Sequence, residues 1–86
     1  MVEVVVGVKG LEEAGRVEVV LEGGGALRFS LLPVRARPGA KILVEEVEGV
    51  AVRAVGLVRS VEELLDTVER YVRASNLRPV RVEVTR

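Results

Sequence analysis

Six basic side chains are the strongest candidates for chemistry in this 86-residue chain, because their type and spacing suit the binding of phosphate groups. They form two groups: Arg35, Arg37 and Lys41 in and after a proline-containing loop, and Arg70, Arg73 and Arg78 around the end of a predicted helix. Arginine pairs with phosphate through two parallel N–H donors, and its charge attracts polyanions. These residues predict either a surface for a nucleic-acid backbone or partners for the glutamate clusters, within one chain or between chains.

The overall composition favours pairing with these glutamates over nucleic-acid binding. The formal net charge is zero, from 13 basic and 13 acidic residues, so no long-range field attracts a polyanion. One Phe and one Tyr give no platform on which single-stranded bases could stack. Nucleic-acid binding through backbone contacts is therefore the second interpretation.

One dense acidic cluster consists of Glu45, Glu46 and Glu48. Such a cluster can bind a hard cation such as Mg²⁺. Side chains alternate across a strand, so Glu46 and Glu48 should face one way and Glu45 the other. The three carboxylates then do not converge. We expect a solvated strand end rather than a metal site.

The residue types that are missing exclude much catalytic chemistry. The chain has no His and no Cys, which removes imidazole bases, thiol nucleophiles and the usual zinc ligands. Ser30 has no histidine to activate it, and Ser60 is needed at a helix start. We predict a non-catalytic protein without a cofactor.

The remaining composition indicates a stable single domain. Arg and Glu supply nearly all the charge, and Gln and Cys are absent, a pattern that resembles proteins of hyperthermophiles. No apolar run approaches the roughly 20 residues of a membrane span. The first residues show no basic region followed by an apolar stretch. We expect one cytoplasmic domain, residues 1–86, from a thermophile, with no membrane partner.

Apolar residues alternate with period two in most of the chain, which predicts strands. Residues 16–32 should form a hairpin around Gly23–Gly25, where three glycines supply a turn and a strand follows in place of a phosphate-binding helix. Residues 41–47 and 50–58 predict two more strands. The second is apolar on both faces apart from Arg53, which favours a central, doubly covered position.

One amphipathic helix is expected at residues 60–75. Ser60 and Glu63 have the spacing of a capping box, and an apolar stripe recurs every three or four residues from Val61 to Val72. Asn76 suits a left-handed end, and the Pro79 that follows prevents continuation.

The predicted fold is α+β: a twisted, mainly antiparallel sheet of five to six strands with one helix on one face, in the order β-β-β-β-β-α-β. A helix of 15 residues is about 23 Å long and about 10 Å wide, so it covers only part of a sheet about 24 Å across. The apolar residues expected on the uncovered surface are Val5, Val20, Leu32 and Val47.

That surplus of apolar surface predicts a small interaction module, a self-associating protein such as a homodimer or an accessory subunit of a larger complex. A curled sheet that closes on itself, with or without a small ligand inside, is the structural alternative.

Overall fold

The computed structural model describes all residues, Met1–Arg86, as six strands and one helix. The elements are β1 (Glu3–Val6), β2 (Arg16–Leu21), β3 (Ala26–Pro33), β4 (Lys41–Val47), β5 (Val50–Val58), α1 (Val61–Ala74) and β6 (Pro79–Thr85). The predicted α+β class and element order are confirmed. No helix of the chain is long and apolar enough to cross a membrane.

All six strands lie in one sheet, in the order β1-β6-β2-β3-β4-β5. Only β1 and β6 are parallel, and every other neighbouring pair is antiparallel. Because β6 inserts between β1 and β2, far from β5, the connection through α1 crosses one face of the sheet. The predicted hairpin of β2 and β3 turns at Gly23–Gly25, all three with positive φ.

The core lies between α1 and the sheet face that it covers. Leu64, Val68 and Val72 of the helix are fully buried, as is Phe29 of β3. Burying a side chain of this size contributes roughly 1.5–3 kcal/mol. The remaining buried members of this cluster come from the loop after β1 and from the strands: Leu11, Ala14, Val17, Val19, Leu31, Leu43, Val58, Val82 and Val84.

Both ends of α1 carry caps that the sequence indicates. The Glu63 N–H donates to the Ser60 Oγ at 3.0 Å. The Glu63 carboxylate accepts from the N–H of Arg59 at 3.2 Å, one residue earlier than a standard capping box predicts. Asn76 has φ 62°, and the Leu77 N–H donates to the Val72 carbonyl at 3.2 Å, which closes the helix as a Schellman motif.

The prediction that β5 is a central strand is wrong. The strand lies at the edge of the sheet, paired only with β4, and its first five residues, Val50–Ala54, are exposed. Only its end passes under the helix, where Val58 is fully buried. Strand β5 is therefore apolar on both faces for two reasons. The helix covers its C-terminal end, and its N-terminal half is an open apolar edge.

Two bulges shape this edge strand. Its pairing with β4 skips Val55 beside Gly56, and skips Val52 further along, so nine residues of β5 run beside seven of β4. The first bulge lies beside Gly56, and an isolated glycine within a strand often marks a bulge.

Candidate functional site

The two predicted basic groups lie at opposite ends of the helix. The loop that carries Arg35 and Arg37 follows Pro33 and borders the helix start at Ser60 and Val61. Arg70, Arg73 and Arg78 belong to the other end of α1, and a helix of 14 residues is about 21 Å long. The structure does not bring the six cations into one patch.

Three of these six cations already have partners within the chain. The Lys41 Nζ donates to the carbonyl oxygens of Glu12, at 3.1 Å, and Ala14, at 2.7 Å, and so holds the loop between β1 and β2. Arg70 pairs with Asp66 at 3.2 Å and Arg73 with Glu69 at 3.1 Å. The side chains of Arg35, Arg37 and Arg78 make no hydrogen bond or ion pair.

Part of the sheet face without the helix is charged. A row of side chains crosses it in register: Glu83 of β6, Glu18 of β2, Arg28 of β3 and Glu46 of β4. Arg28 Nε bonds Glu18 at 3.1 Å, and Arg81 bonds both Glu3 and Glu83 at 3.2 Å. An open groove of about 810 Å³ lies along this row. This charged row suits water or a polar partner better than an apolar one.

The four apolar residues predicted for an interface do not form one surface. Val5 lies in register with Glu83 and Val20 with Arg81, and both are half-buried. Leu32 is 50% exposed at the end of β3. Val47 is 52% exposed at the far end of β4, on the same side of the strand as Leu43 by alternation.

A group of exposed apolar residues lies instead at the tip and outer side of the β4–β5 hairpin. Val50 is 62% exposed and Val52 is 52% exposed, and Val47 lies opposite Val50. We call Val50–Ala54 the β5 edge segment. Because β5 has no neighbour on its outer side, the outward N–H and C=O groups of this segment have no strand partner.

The sequence did not reveal the β5 edge segment because its residue types are also typical of a buried strand. Valine and alanine on both faces carry no information about which edge of a strand is paired. One local signal for the neighbour of β5 was the turn at Glu48 and Gly49. Both residues have positive φ, the geometry of a tight two-residue connection. That turn fixes β4 as one neighbour of β5 but does not reveal the lack of another.

A polar cluster anchors the segment to the helix. The Tyr71 hydroxyl donates to a Glu45 carboxylate oxygen and accepts from the Arg53 Nη1, 3.1 Å away. The Tyr71 ring packs edge-on against Phe29, with centroids 5.9 Å apart. Residues of β3, β4, β5 and α1 therefore meet at one tyrosine.

The electrostatics of this cluster stabilise the neutral tyrosine and the charged arginine. The hydrogen bond to the Glu45 carboxylate raises the pKa of Tyr71, and partial burial raises it further. The hydrogen bond to Tyr71 raises the pKa of Arg53. Arg53 is thus held by its own chain.

The opposite edge of the sheet is much shorter. Strand β1 has four residues, Glu3–Val6, and Glu3 is tied to Arg81 of the neighbouring β6. Val4 is 47% exposed there, close to the value for Val52. A short edge strand bearing a charge is a common protection against pairing with another chain.

The acidic side chains do not gather into a metal site. Glu45 and Glu46 point to opposite faces of β4, as alternation predicts, and no three acidic side chains approach closely enough to hold a metal ion. Comparisons with protein-family models, characterised proteins and solved structures found no significant match to this chain.

Proposed function

We propose that this protein is a small non-catalytic interaction module that binds another protein subunit, as a self-associating protein or as an accessory subunit of a larger complex. The single observation that carries the proposal is the β5 edge segment, an open strand edge whose side chains are mostly exposed and apolar. An unpaired edge of this kind is a template for a strand of another chain.

The usual protections of a strand edge are weak in this segment. It contains no lysine and no proline, and its one charged residue, Arg53, is bonded back to Tyr71. Its bulge at Val52 bends the strand but leaves five consecutive residues exposed. Monomeric proteins seldom leave continuous apolar surface of this kind open to water.

Charged residues surround the apolar segment in a way that would orient a partner. Glu46 and Glu48 lie near the hairpin tip, while Arg53 lies further along β5 and Arg59 just after its end. Apolar centres with polar rims are typical of protein interfaces, and rim charges select partner and orientation more than they add affinity.

The proposal includes a thermophilic source and a cytoplasmic location. Besides the Arg- and Glu-rich composition, six ion pairs lie on the surface, and Glu3, Arg81 and Glu83 are linked into a small network. Networks of this type stabilise more at high temperature, because desolvating charges then costs less.

Sedimentation of the purified chain from ~5 to ~500 µM, the range of weak association, tests the proposal together with tagged purification from the native host. A mass that rises above 9.3 kDa, or a stoichiometric subunit that copurifies and is lost in Val50→Lys, is the expected result. A chain that stays at 9.3 kDa and purifies alone contradicts the proposal.

A further inference from the structure

We infer that a cleft at one end of the sheet binds a small organic phosphate, a phosphate monoester carried on an apolar body. The cleft has a volume of about 740 Å³, and none of its lining residues belongs to the β5 edge segment. It lies where three connections of the chain meet: residues 7–15 between β1 and β2, residues 34–40 between β3 and β4, and residues 59–60 between β5 and α1. The strand directions bring all three connections to the same end of the sheet.

The two longer connections are held in place without any ligand. Leu11 of the first connection and Ala40 of the second are buried, at 6% and 4% exposure. The Lys41 Nζ donates to the carbonyl oxygens of Glu12 and Ala14, and so ties the first connection to the start of β4. The cleft is therefore already formed, as most small-ligand sites are, and binding loses little free energy to the ordering of loops.

The charges that line the cleft suit a doubly charged anion. Three cations, Lys9, Lys41 and Arg59, line it, and Glu12 is its only carboxylate, which leaves a charge of +2. A phosphate monoester carries a charge of about −1.5 to −2 at pH 7. Arginine and lysine are also the side chains that make charge-assisted hydrogen bonds to phosphate oxygens.

These three cations are not neutralised by the carboxylates beside them. Glu13 and Glu63 accept the backbone N–H groups of Lys9, at 2.9 Å, and Arg59, at 3.2 Å. The Lys9 and Arg59 side chains form no ion pair. Lys41 bonds only neutral carbonyl oxygens, and one of its three N–H donors stays free. An anion in the cleft would give all three charges a partner.

The rest of the lining is apolar, which favours an organic ester over inorganic phosphate or a nucleic-acid backbone. Leu11, Val34 and Val61 lie in the same cleft as the cations. A concave site with apolar walls and a few polar groups is typical of small-molecule binding. The exposed Arg35 and Arg37 of the second connection do not line it. The cations of the cleft therefore surround one small volume and do not continue as a basic stripe along the surface.

Titration with 1-naphthyl phosphate tests the site, because this probe carries both a phosphate and an apolar body. The chain has no tryptophan and one tyrosine, so the fluorescence anisotropy of the naphthyl group can be followed against a low background. We expect saturable binding with a Kd on the order of 100 µM at low salt. Inorganic phosphate lacks the apolar body and 1-naphthol lacks the charge, and each should bind at least about tenfold more weakly.

Three variants distinguish the cleft from general attraction of anions. Arg59→Ala should weaken binding of 1-naphthyl phosphate about tenfold, because a charge-assisted hydrogen bond is lost. Glu12→Gln removes the one repelling carboxylate and should strengthen binding about threefold. Arg78→Ala is the matched control, an exposed arginine without an ion pair beyond the other end of α1, and should change binding less than about twofold. Circular dichroism checks that all three variants are folded.

The outcomes are independent of the interaction role, which is tested by mass. No saturable binding of 1-naphthyl phosphate by the folded natural chain overturns the phosphate site. Equal losses in Arg59→Ala and Arg78→Ala, or no gain in Glu12→Gln, also overturn it, because attraction would then not depend on the cleft. Binding of duplex DNA without binding of 1-naphthyl phosphate, lost in Arg59→Ala, overturns the small-ligand site in favour of a polyanion surface.

Discussion

Replacing Tyr71 with phenylalanine removes one oxygen atom and with it the contact that joins α1 to β4 and β5. The hydroxyl donates to Glu45 and accepts from Arg53, while the ring packs against Phe29. Phenylalanine keeps the ring and its packing, so the change isolates the two hydrogen bonds. Glu45 is left without its donor in a half-buried position.

The expected loss of stability is modest. A hydrogen bond to a charged group contributes about 1.5–3 kcal/mol, and partial exposure to water brings the figure to about 1 kcal/mol. For a domain of this size that corresponds to a decrease in Tm of about 4–8 °C. Thermal unfolding by circular dichroism at neutral pH measures it.

The same contact should disappear at high pH. Below the ordinary tyrosine pKa of about 10 the hydroxyl is neutral in both folded and unfolded chains, and its contribution is complete. Because the folded-state pKa of Tyr71 is raised, the unfolded chain ionises first as the pH increases. The stability difference between the natural chain and Tyr71→Phe should therefore shrink as the pH rises through the folded-state pKa.

Absorbance near the tyrosinate band follows this ionisation directly, because Tyr71 is the only tyrosine and there is no tryptophan. The matched control Glu45→Gln keeps an oxygen acceptor but removes the charge, and should shift the titration to lower pH. A natural chain that titrates at about pH 10, together with an unchanged Tm in Tyr71→Phe, would refute the reasoning.

Further changes separate residues that stabilise the fold from residues that are only exposed on its surface. Lys41→Met should reduce the free energy of unfolding by about 1–3 kcal/mol in urea denaturation, because two loop carbonyls lose their donor; a cost below that of an exposed-lysine change would contradict it. Leu64→Ala, at a fully buried position, should cost about 2–5 kcal/mol by the same method, and a near-neutral change would mean that the helix is not packed as described. Arg35→Ala/Arg37→Ala should leave stability unchanged. In a mobility-shift titration with duplex DNA, the natural chain itself should show no salt-sensitive binding; a shift that these changes abolish would support nucleic-acid binding instead. Finally, we expect a Tm above about 65 °C, the upper end of the mesophilic range, and a lower value would remove the thermophilic assignment.

Features set by neighbouring residues could be predicted from the sequence. The glycine turn of the first hairpin, the Ser60 cap and the Asn76 end of α1 each depend on a few consecutive residues, and all are present. The main-chain conformation available to glycine and asparagine at positive φ is a local property. Element order and fold class followed from these local signals.

Features that depend on distant residues could not be predicted. Nothing in β6 indicates that it inserts between β1 and β2, and that insertion, made by the crossing helix, leaves β5 at the edge. Lys41 resembled part of a basic surface, yet its two acceptors lie 27 and 29 residues earlier in the chain. Tyr71, Arg53 and Glu45 meet from three different elements, which no sequence spacing reveals.

The mass of the purified chain, compared between two matched variants, tests the role of the β5 edge most directly. Val52→Lys and Val4→Lys place the same charge at positions of similar exposure on opposite edges of the sheet. In sedimentation equilibrium at ~200 µM, a concentration suited to weak association, the natural chain and Val4→Lys should exceed the 9.3 kDa of one chain, while Val52→Lys should remain at it. Equal masses for the two lysine variants would contradict pairing through β5.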